Sequence, residues 1–566
     1  MIGVVANSSD EAAVREFFEL FKTSWEFYEP ERKYDVILCA EAGNLDLEED
    51  AAKLVLIYSG CRLPLDDTEN VQVAKAGNEA HTLLYKGFRI PIYGDHLLFR
   101  ENTGALPARE LPNSPIYCPQ LPGRAVVRIG YDLFAEVRTL LSTGQPAVNA
   151  AIPTLELHIA LLRALIVTNG IPISEIPPVP AGYRFIACLT HDVDHPMIRR
   201  HKFDHTMFGF LYRAICGSLV DAFRGRVPWQ KVRTNWAAVL KLPLIHLGLA
   251  KDCWSEMERY VDLEGGARSS YFVIPFAGRP GRSRTGTAPS ARAARYGAAD
   301  ISGQVRNLIS AGCEIGLHGI DAWADSSRGS DELEEIRRIT GQKEIGVRMH
   351  WLYFDEQSPL TLEKAGASYD STVGYNETIG YRAGTTQAYK HPGTSHLIEL
   401  PMHLMDTALF FTGYLDLSAE EARIPVRDMI DNAIQFGGCL TVNWHDRSIA
   451  PERLWDEFYV DLVADLRARG AWLATAGQAV AWFRKRRSAA FESVGLEAET
   501  LRVKIAVEAA DDLPGLQLRV SDGHEQRQKT LIAHPRAESS GDPGQKKTVD
   551  ACVAFPSEMA TATETN

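Results

Sequence analysis

Eight short apolar runs, at residues 184–190, 270–276, 313–318, 345–350, 367–373, 397–403, 439–445 and 472–475, recur with helical or loop material between them. A parallel neighbour can be reached only by a crossover, so strands alternating with helices predict parallel pairing and an α/β fold built as an irregular (β/α) barrel. Four of the runs end in a histidine: His318, His350, His403 and His445. Reactive groups in such a barrel gather at the carboxyl ends of the strands, which is where a site is expected. Any α/β protein alternates in this way, however, and a lone strand-end histidine is more often a satisfied core or loop residue than a ligand.

The first run leads into Thr190-His191-Asp192-Val193-Asp194-His195-Pro196. Strand side chains alternate faces, so Asp192 and Asp194 point the same way while Val193 faces the packing behind them. Two carboxylates in one small space are unfavourable unless a cation or a shared proton compensates. The pattern therefore indicates a metal, or a base poised beside a metal ligand. The structural alternative is a polar strand exit that caps a nearby helix.

At 566 residues the chain exceeds one compact core, and its 45% hydrophobic and 23% charged residues are those of an ordinary globular protein. A net charge of −13 argues against general nucleic-acid binding, which needs a basic surface. Nine scattered cysteines without a Cys-x-x-Cys pair look reduced, and the first residues lack a basic and apolar leader pattern, so a cytoplasmic location is expected. No run is long enough to span a bilayer. Residues 1–178 are expected to form a separate N-terminal α/β domain of unassigned role, with strands at 34–40, 54–58 and within 81–99 and helices at 131–141 and 153–168. The proline-rich stretch 171–180 reads as a hinge. The barrel is expected over 179–488, a small β-hairpin appendage over 489–522, with strands near 501–507 and 516–520, and a disordered tail over 523–566.

Within the barrel, residues 198–262 form a long insertion. Its stretch 199–241 holds nine Lys or Arg against two acids, interleaved with Phe208, Phe210, Leu211, Leu219 and Phe223. Such a segment is either a helical lid or a peripheral membrane contact. The loop 278–296, rich in glycine and arginine, either covers the barrel mouth or is a solvated connection.

Three further pieces join the first motif. Glu314-Ile315-Gly316-Leu317-His318-Gly319-Ile320-Asp321 ends in a histidine, a turn glycine and an acid. Gly346-Val347-Arg348-Met349-His350 puts a cation and an imidazole on one face, and Val442-Asn443-Trp444-His445-Asp446 ends a late strand. In this order the motifs resemble the polysaccharide deacetylase family, the NodB-homology or carbohydrate esterase family 4 group, over about residues 184–485. The resemblance implies a base at Asp192, a metal-binding Asp194 and His318, an orienting Arg348, and His445 assisting the leaving group. One departure stands out: the family's second histidine, four residues after the first, is Ala322 here. Asp321 is the first choice for the missing ligand, with His195, His191 and His350 as competitors. No role is assigned to His403 or Asp406.

The resemblance further implies metal-dependent hydrolysis of a carbon–nitrogen bond in carbohydrate metabolism, the removal of an N-acetyl group from a sugar or glycan intermediate; the missing leader pattern favours a cytosolic nucleotide-linked or lipid-linked compound over mature cell-wall glycan. The divalent ion is expected to be zinc, with manganese or iron as alternatives. The rival readings are a glycan-binding or scaffold protein that has lost the metal, motivated by Ala322, and a hydrolase of a non-sugar amide. The sequence assigns no oligomeric state.

Overall fold

The computed structural model describes residues 1–40, 51–68, 71, 73–74, 82–85, 87–99, 115–119, 125–225, 227–497, 500–507, 512–522, 526–531 and 547–554. The chain divides into two compact units, one of residues 1–144, 152–182 and 481–566, the other of residues 145–151 and 183–480.

The first unit is built on a six-stranded sheet in the order Trp25–Phe27, Ile2–Val5, Tyr34–Cys39, Ala52–Tyr58, Ala125–Ile129, Ile116–Tyr117. All its pairings are parallel except the last. Val36, Ile37, Leu38, Leu54 and Leu56 are buried on both faces, as a parallel sheet requires, and helices Glu11–Phe21, Leu133–Ser142 and Thr154–Thr168 supply Phe17, Leu140 and Leu162 to the core. The stretch expected over 81–99 breaks into three short strands, Thr82–Tyr85, Phe88–Pro91 and Leu98–Phe99.

The end of the chain differs from expectation. Thr500–Val507 and Leu516–Ser521 do not form a hairpin together. The former pairs with Ala490–Glu497 and Lys547–Ala554, and the latter with Ile173–Glu175 and Gln526–Leu531. Residues 489–522 are thus part of the first unit rather than a free appendage, and the proline-rich segment contributes an edge strand to it. Alternation tells which face of a strand is apolar but not which neighbour it will pair with. Gln526–Leu531 and Lys547–Ala554 are strands inside the expected tail, held by ladder hydrogen bonds that composition does not reveal; the rest of 523–566 lies outside the described residues.

In the second unit the strands are β1 (Phe185–Val193), β2 (Ser270–Val273), β3 (Glu314–Gly319), β4 (Val347–Met349), β5 (Leu404–Met405), β6 (Cys439–Asn443) and β7 (Ala471–Ala474). The order β4-β3-β2-β1-β6-β5 is parallel throughout, and β7 joins the start of β1. Two of the apolar runs, 367–373 and 397–403, make single bridges instead of strands, and they close the ring. Val347 N–H donates to Tyr369 O at 2.9 Å and Ser371 N–H to Val347 O at 2.8 Å. Leu400 N–H then donates to Asp370 O at 2.8 Å, and His403 N–H to Thr441 O of β6 at 3.1 Å. The result is an irregular barrel wrapped by helices Ser302–Ser310, Ser326–Thr340, Ser358–Ala365, Ala419–Phe436 and Asp456–Ala468. Its core includes Phe185, Leu189, Leu317, Val347, Leu440 and Trp444.

The insertion is helical, with His205–Tyr212, Ser218–Phe223 and Trp229–His246 and a π turn at Arg213–Gly217. Met207, Phe210, Ala214, Leu242 and Ile245 pack with Trp254 and Ala450 in a satellite core. The loop 278–296 is largely exposed but anchored. Buried Arg292 pins it, donating to Pro280 O at 2.7 Å, Ile320 O at 3.0 Å and His350 O at 2.9 Å.

Candidate functional site

The carboxyl ends of β1, β3, β4 and β6 open on a cavity of about 420 Å³ lined by Asp192, Asp194, His318, His350 and His445. Asp192 is the penultimate residue of β1 and Asp194 the first residue beyond it. Both line the cavity, as the two-residue spacing requires.

One carboxylate oxygen of Asp194 and one ring nitrogen each of His318 and His350 lie within 4.8 Å of one another. His318 Nδ1 sits 3.0 Å from Arg348 O, a carbonyl that can only accept, so the proton is on Nδ1 and the Nε2 lone pair faces the cavity. That Nε2 is 3.2 Å from Asp194 Oδ1, which is also 3.5 Å from His350 Nε2. Burial pushes His350 down to about 3, leaving its ring neutral. Asp194 Oδ1 is buried without a hydrogen-bond partner. A buried carboxylate oxygen without a hydrogen-bond partner beside two ring nitrogens suits a cation, and one carboxylate with two imidazoles is a donor set suited to zinc and acceptable to manganese or iron. The residues therefore fit a divalent ion.

Asp321 does not join them. Its Oδ1 accepts from Arg282 N–H at 2.7 Å and its Oδ2 from Arg328 Nη1 at 2.8 Å. The turn after Gly319 carries Asp321 toward helix Ser326–Thr340, with Ala324 and Asp325 N–H donating to its carbonyl. Ala322, at the position of the family's second histidine, is fully buried, and Gly329 packs so closely that a Cβ there would meet it at 3.1 Å. There is no room for an imidazole at 322. His350 of the neighbouring strand end fills the place, held by the bond from Arg292 to its carbonyl and followed by two left-handed residues, Trp351 (φ 64°) and Leu352 (φ 51°). Left-handed backbone at bulky residues is strained, and such strain clusters at functional sites. Of the other competitors, His191 is spent on Trp444 O and Glu264 Oε1, each at 2.8 Å, and His195 faces His201 at 3.3 Å.

Asp192 lies beside this cluster. Its Oδ1 accepts from Arg348 Nη1 at 3.0 Å and its Oδ2 from Asn443 Nδ2 at 2.8 Å. Burial works against its charge, but the Arg348 guanidinium, with His318 and His445, holds the carboxyl below the usual aspartate value. Arg348 is itself fixed by Thr190 Oγ1, Ser371 Oγ and Ser371 O at 2.7–3.0 Å and lies over the Phe272 ring. His445 Nδ1 donates to Asp406 Oδ1 at 2.6 Å, and its Nε2 is 3.8 Å from Asp194 Oδ2. Burial would favour the neutral ring, yet Asp406 pushes His445 up to about 9.

Two residues assigned no role from the sequence, Asn443 and Asp406, thus hold the site together. Asn443 ends β6 two residues before His445, a period-two spacing that was legible. Asp406 directly follows the short apolar pair Leu404-Met405, so it too is a strand-end acid, and its Oδ2 is bonded by His445 N–H at 2.7 Å and by Ser448 Oγ.

No protein-family model and no curated protein matches the chain. Solved structures similar to it include a protein described as a polysaccharide deacetylase from Mycobacterium smegmatis (19% identity over 55% of this chain and 95% of that one, TM-score 0.34). Another so described, from Pseudomonas aeruginosa PAO1, has 13% identity over 57% of this chain and 98% of that one, TM-score 0.35. An allantoinase, PuuE, has 13% identity over 55% and 93%, TM-score 0.33. Identities this low say nothing of substrate, and the chemistry must come from the side chains themselves.

Proposed function

We propose that the chain is a metal-dependent hydrolase that removes an N-acetyl group from a sugar or glycan intermediate. The observation that carries this is the convergence of Asp194 Oδ1, His318 Nε2 and His350 Nε2, with Asp192 beside them and His445 opposite. A divalent ion held there, zinc in the first instance, supplies Lewis acidity toward an amide carbonyl and lowers the pKa of water.

Each remaining task falls to a side chain. Asp192, kept ionised and oriented by Arg348 and Asn443, takes up a proton at its carboxylate. His445 holds a proton on Nε2 for the departing amine, because Nδ1–H is committed to Asp406, which fixes the tautomer and supports the charged ring. Arg292 positions His350 through its backbone carbonyl. The inactive-scaffold reading rested on Ala322; His350 beside Asp194 and His318 supports the hydrolase reading over it.

The same proposal covers where substrate is met. Of the 21 exposed large hydrophobic residues of the described chain, 12 lie between Phe203 and Leu249, among them Phe223, Leu240, Leu247 and Leu249, each at least 72% exposed. They share this insertion with the nine basic residues of 199–241, although Arg226 falls outside the described residues. No described helix is long and apolar enough to cross a membrane. An apolar face interleaved with cations suits an anionic lipid surface, where a lipid-linked sugar would be found.

Metal analysis of the purified protein, with acetate release measured on N-acetylated sugars and on non-sugar acetamides, tests the activity. About one ion per chain and acetate from a sugar support it; an ion-free protein inert on every compound removes it. Flotation with vesicles of phosphatidylglycerol, but not of phosphatidylcholine, is expected for the membrane contact and should be lost in a Phe223→Ser/Leu240→Ser/Leu247→Ser variant.

A further inference from the structure

The cavity has a second chemistry besides its acids and imidazoles: Arg213, Arg447 and Arg453 also line it. These guanidiniums are poorly neutralised. The side chains of Arg213 and Arg447 have no ion-pair or hydrogen-bond partner among the described residues, and Arg447 Nη1 and Arg213 Nε are buried with their N–H groups unsatisfied. Arg453 donates only to Ser448 Oγ, at 3.2 Å. Glu452 faces Arg213 and Arg447, Asp446 also faces Arg447 and Asp406 faces Arg453, but among the described residues none of these acids is within ion-pair distance of a guanidinium, and Glu452 Oε2 is taken by Trp254 Nε1 at 3.1 Å. Burial, and then the neighbouring Arg453, push Arg447 down to about 9.

The three are nonetheless held in place. Arg447 lies over the Trp254 ring at 4.9 Å and Arg453 over Trp455 at 5.0 Å. Arg213 begins the π turn of the insertion, and its Nη1 would meet a Cβ on Gly209 at 3.1 Å, so the glycine makes room for it. Leaving a buried cation unpaired costs several kcal/mol, on the order of the penalty for breaking a buried ion pair. Three guanidiniums converge on one cavity with no ion-pair partner among the described residues, and guanidinium geometry suits phosphate oxygens.

We propose that Arg213, Arg447 and Arg453 form an anion subsite for a phosphoryl group of the substrate, so that the acetamido compound is a phosphate-bearing sugar. This rests on the hydrolase reading for what happens to the substrate, but not for the binding itself. The phosphate of a free sugar phosphate, a nucleotide diphosphate sugar and a lipid-linked diphosphate sugar share this chemistry.

Titration calorimetry of the full chain with inorganic pyrophosphate tests it. One binding site is expected, weakened by about tenfold or more in Arg447→Met and in Arg213→Met and retained in Asp194→Asn. Because Arg447 is unpaired, Arg447→Met should melt no lower than wild type in pyrophosphate-free buffer, which separates a lost subsite from a lost fold. Absence of binding, or binding lost in Asp194→Asn and kept in Arg447→Met, overturns the subsite. Pyrophosphate held by the arginines with no acetate released from any compound keeps the subsite and removes the hydrolase reading. Acetate released as fast from N-acetylglucosamine as from its 1-phosphate, without pyrophosphate binding, does the reverse. Relative turnover of N-acetylglucosamine 1-phosphate, its uridine diphosphate ester and a vesicle-borne polyprenyl diphosphate ester identifies the source of the phosphate.

Discussion

Buried charge is handled in opposite ways in the two units. In the first, Glu175 sits between Arg163 at 2.7 Å and Arg519 at 2.8 Å, and Arg128 meets Asp66 and the carbonyls of Ser59 and Cys61. Arg487 likewise bonds both oxygens of Glu16. Each of those ions has a charge partner within hydrogen-bond distance, and of their atoms only Arg163 Nε is buried without a hydrogen bond. Around the barrel cavity, Asp194 Oδ1, His350 Nδ1, Arg447 Nη1 and Arg213 Nε are buried and left open. A closed buried pair needs nothing further, whereas open groups lose hydration without recompense unless a ligand completes them. The difference separates a part of the molecule whose ions hold structure from one whose ions await something.

The comparison is sharpened first where the largest effect is expected. Asp192→Asn should lower acetate release by about 100- to 10,000-fold while bound metal, measured by mass spectrometry, stays the same. Equal turnover would take the base away from Asp192. His350→Ala should strip most of the metal from the purified protein; full occupancy would return the third ligand to an open question.

In the closed unit the effect is on stability alone. Glu175→Gln should cost about 3 kcal/mol in denaturant unfolding of the full chain, with turnover per folded molecule unchanged. Burial raises the Glu175 carboxyl, but Arg163 and Arg519 outweigh it and hold it at about 2 in the folded state, against 4.5 ordinarily. A depressed folded value means that this stability is present above the unfolded pKa and is lost as pH falls from about 4.5 toward 2. The variant should therefore show a flatter loss across that window than wild type. The smallest change is expected for Asp321→Asn, which should keep its metal and lose only the contribution of an ion pair to Arg328, a residue half exposed at 49%. Loss of metal in that variant would contradict the geometry of the turn.

Much of the barrel was legible because strand ends carry a local signature. An apolar run stopped by an acid or a histidine brought Asp192, Asp194, His318 and His445 to one cavity, and Arg348 two residues before His350 shares its face. His350 itself was visible only as one competitor among several, since nothing in the spacing says whether the carboxylate at 321 or the imidazole at 350 turns inward. That choice is made by Gly329 packing on Ala322 and by Arg328 taking Asp321, contacts between residues that belong to a helix and a turn. Asp406 was passed over because its run is only two residues long, and the unpaired state of Arg213 and Arg447 cannot be read from a sequence that shows nine basic residues in a row of helices.

The amino-acid order alone determined the alternation of strand and helix, and with it a parallel barrel whose polar strand ends face one opening, because side-chain period and crossover geometry are local properties. Only the tertiary structure decided which strands close the ring, that the last strands of the chain pair with Ile173–Glu175 and with one another, and that His350 stands where Asp321 was expected. Pairing partners and ligand sets depend on which side chain occupies a space first, and that competition is settled by packing between segments far apart in the chain.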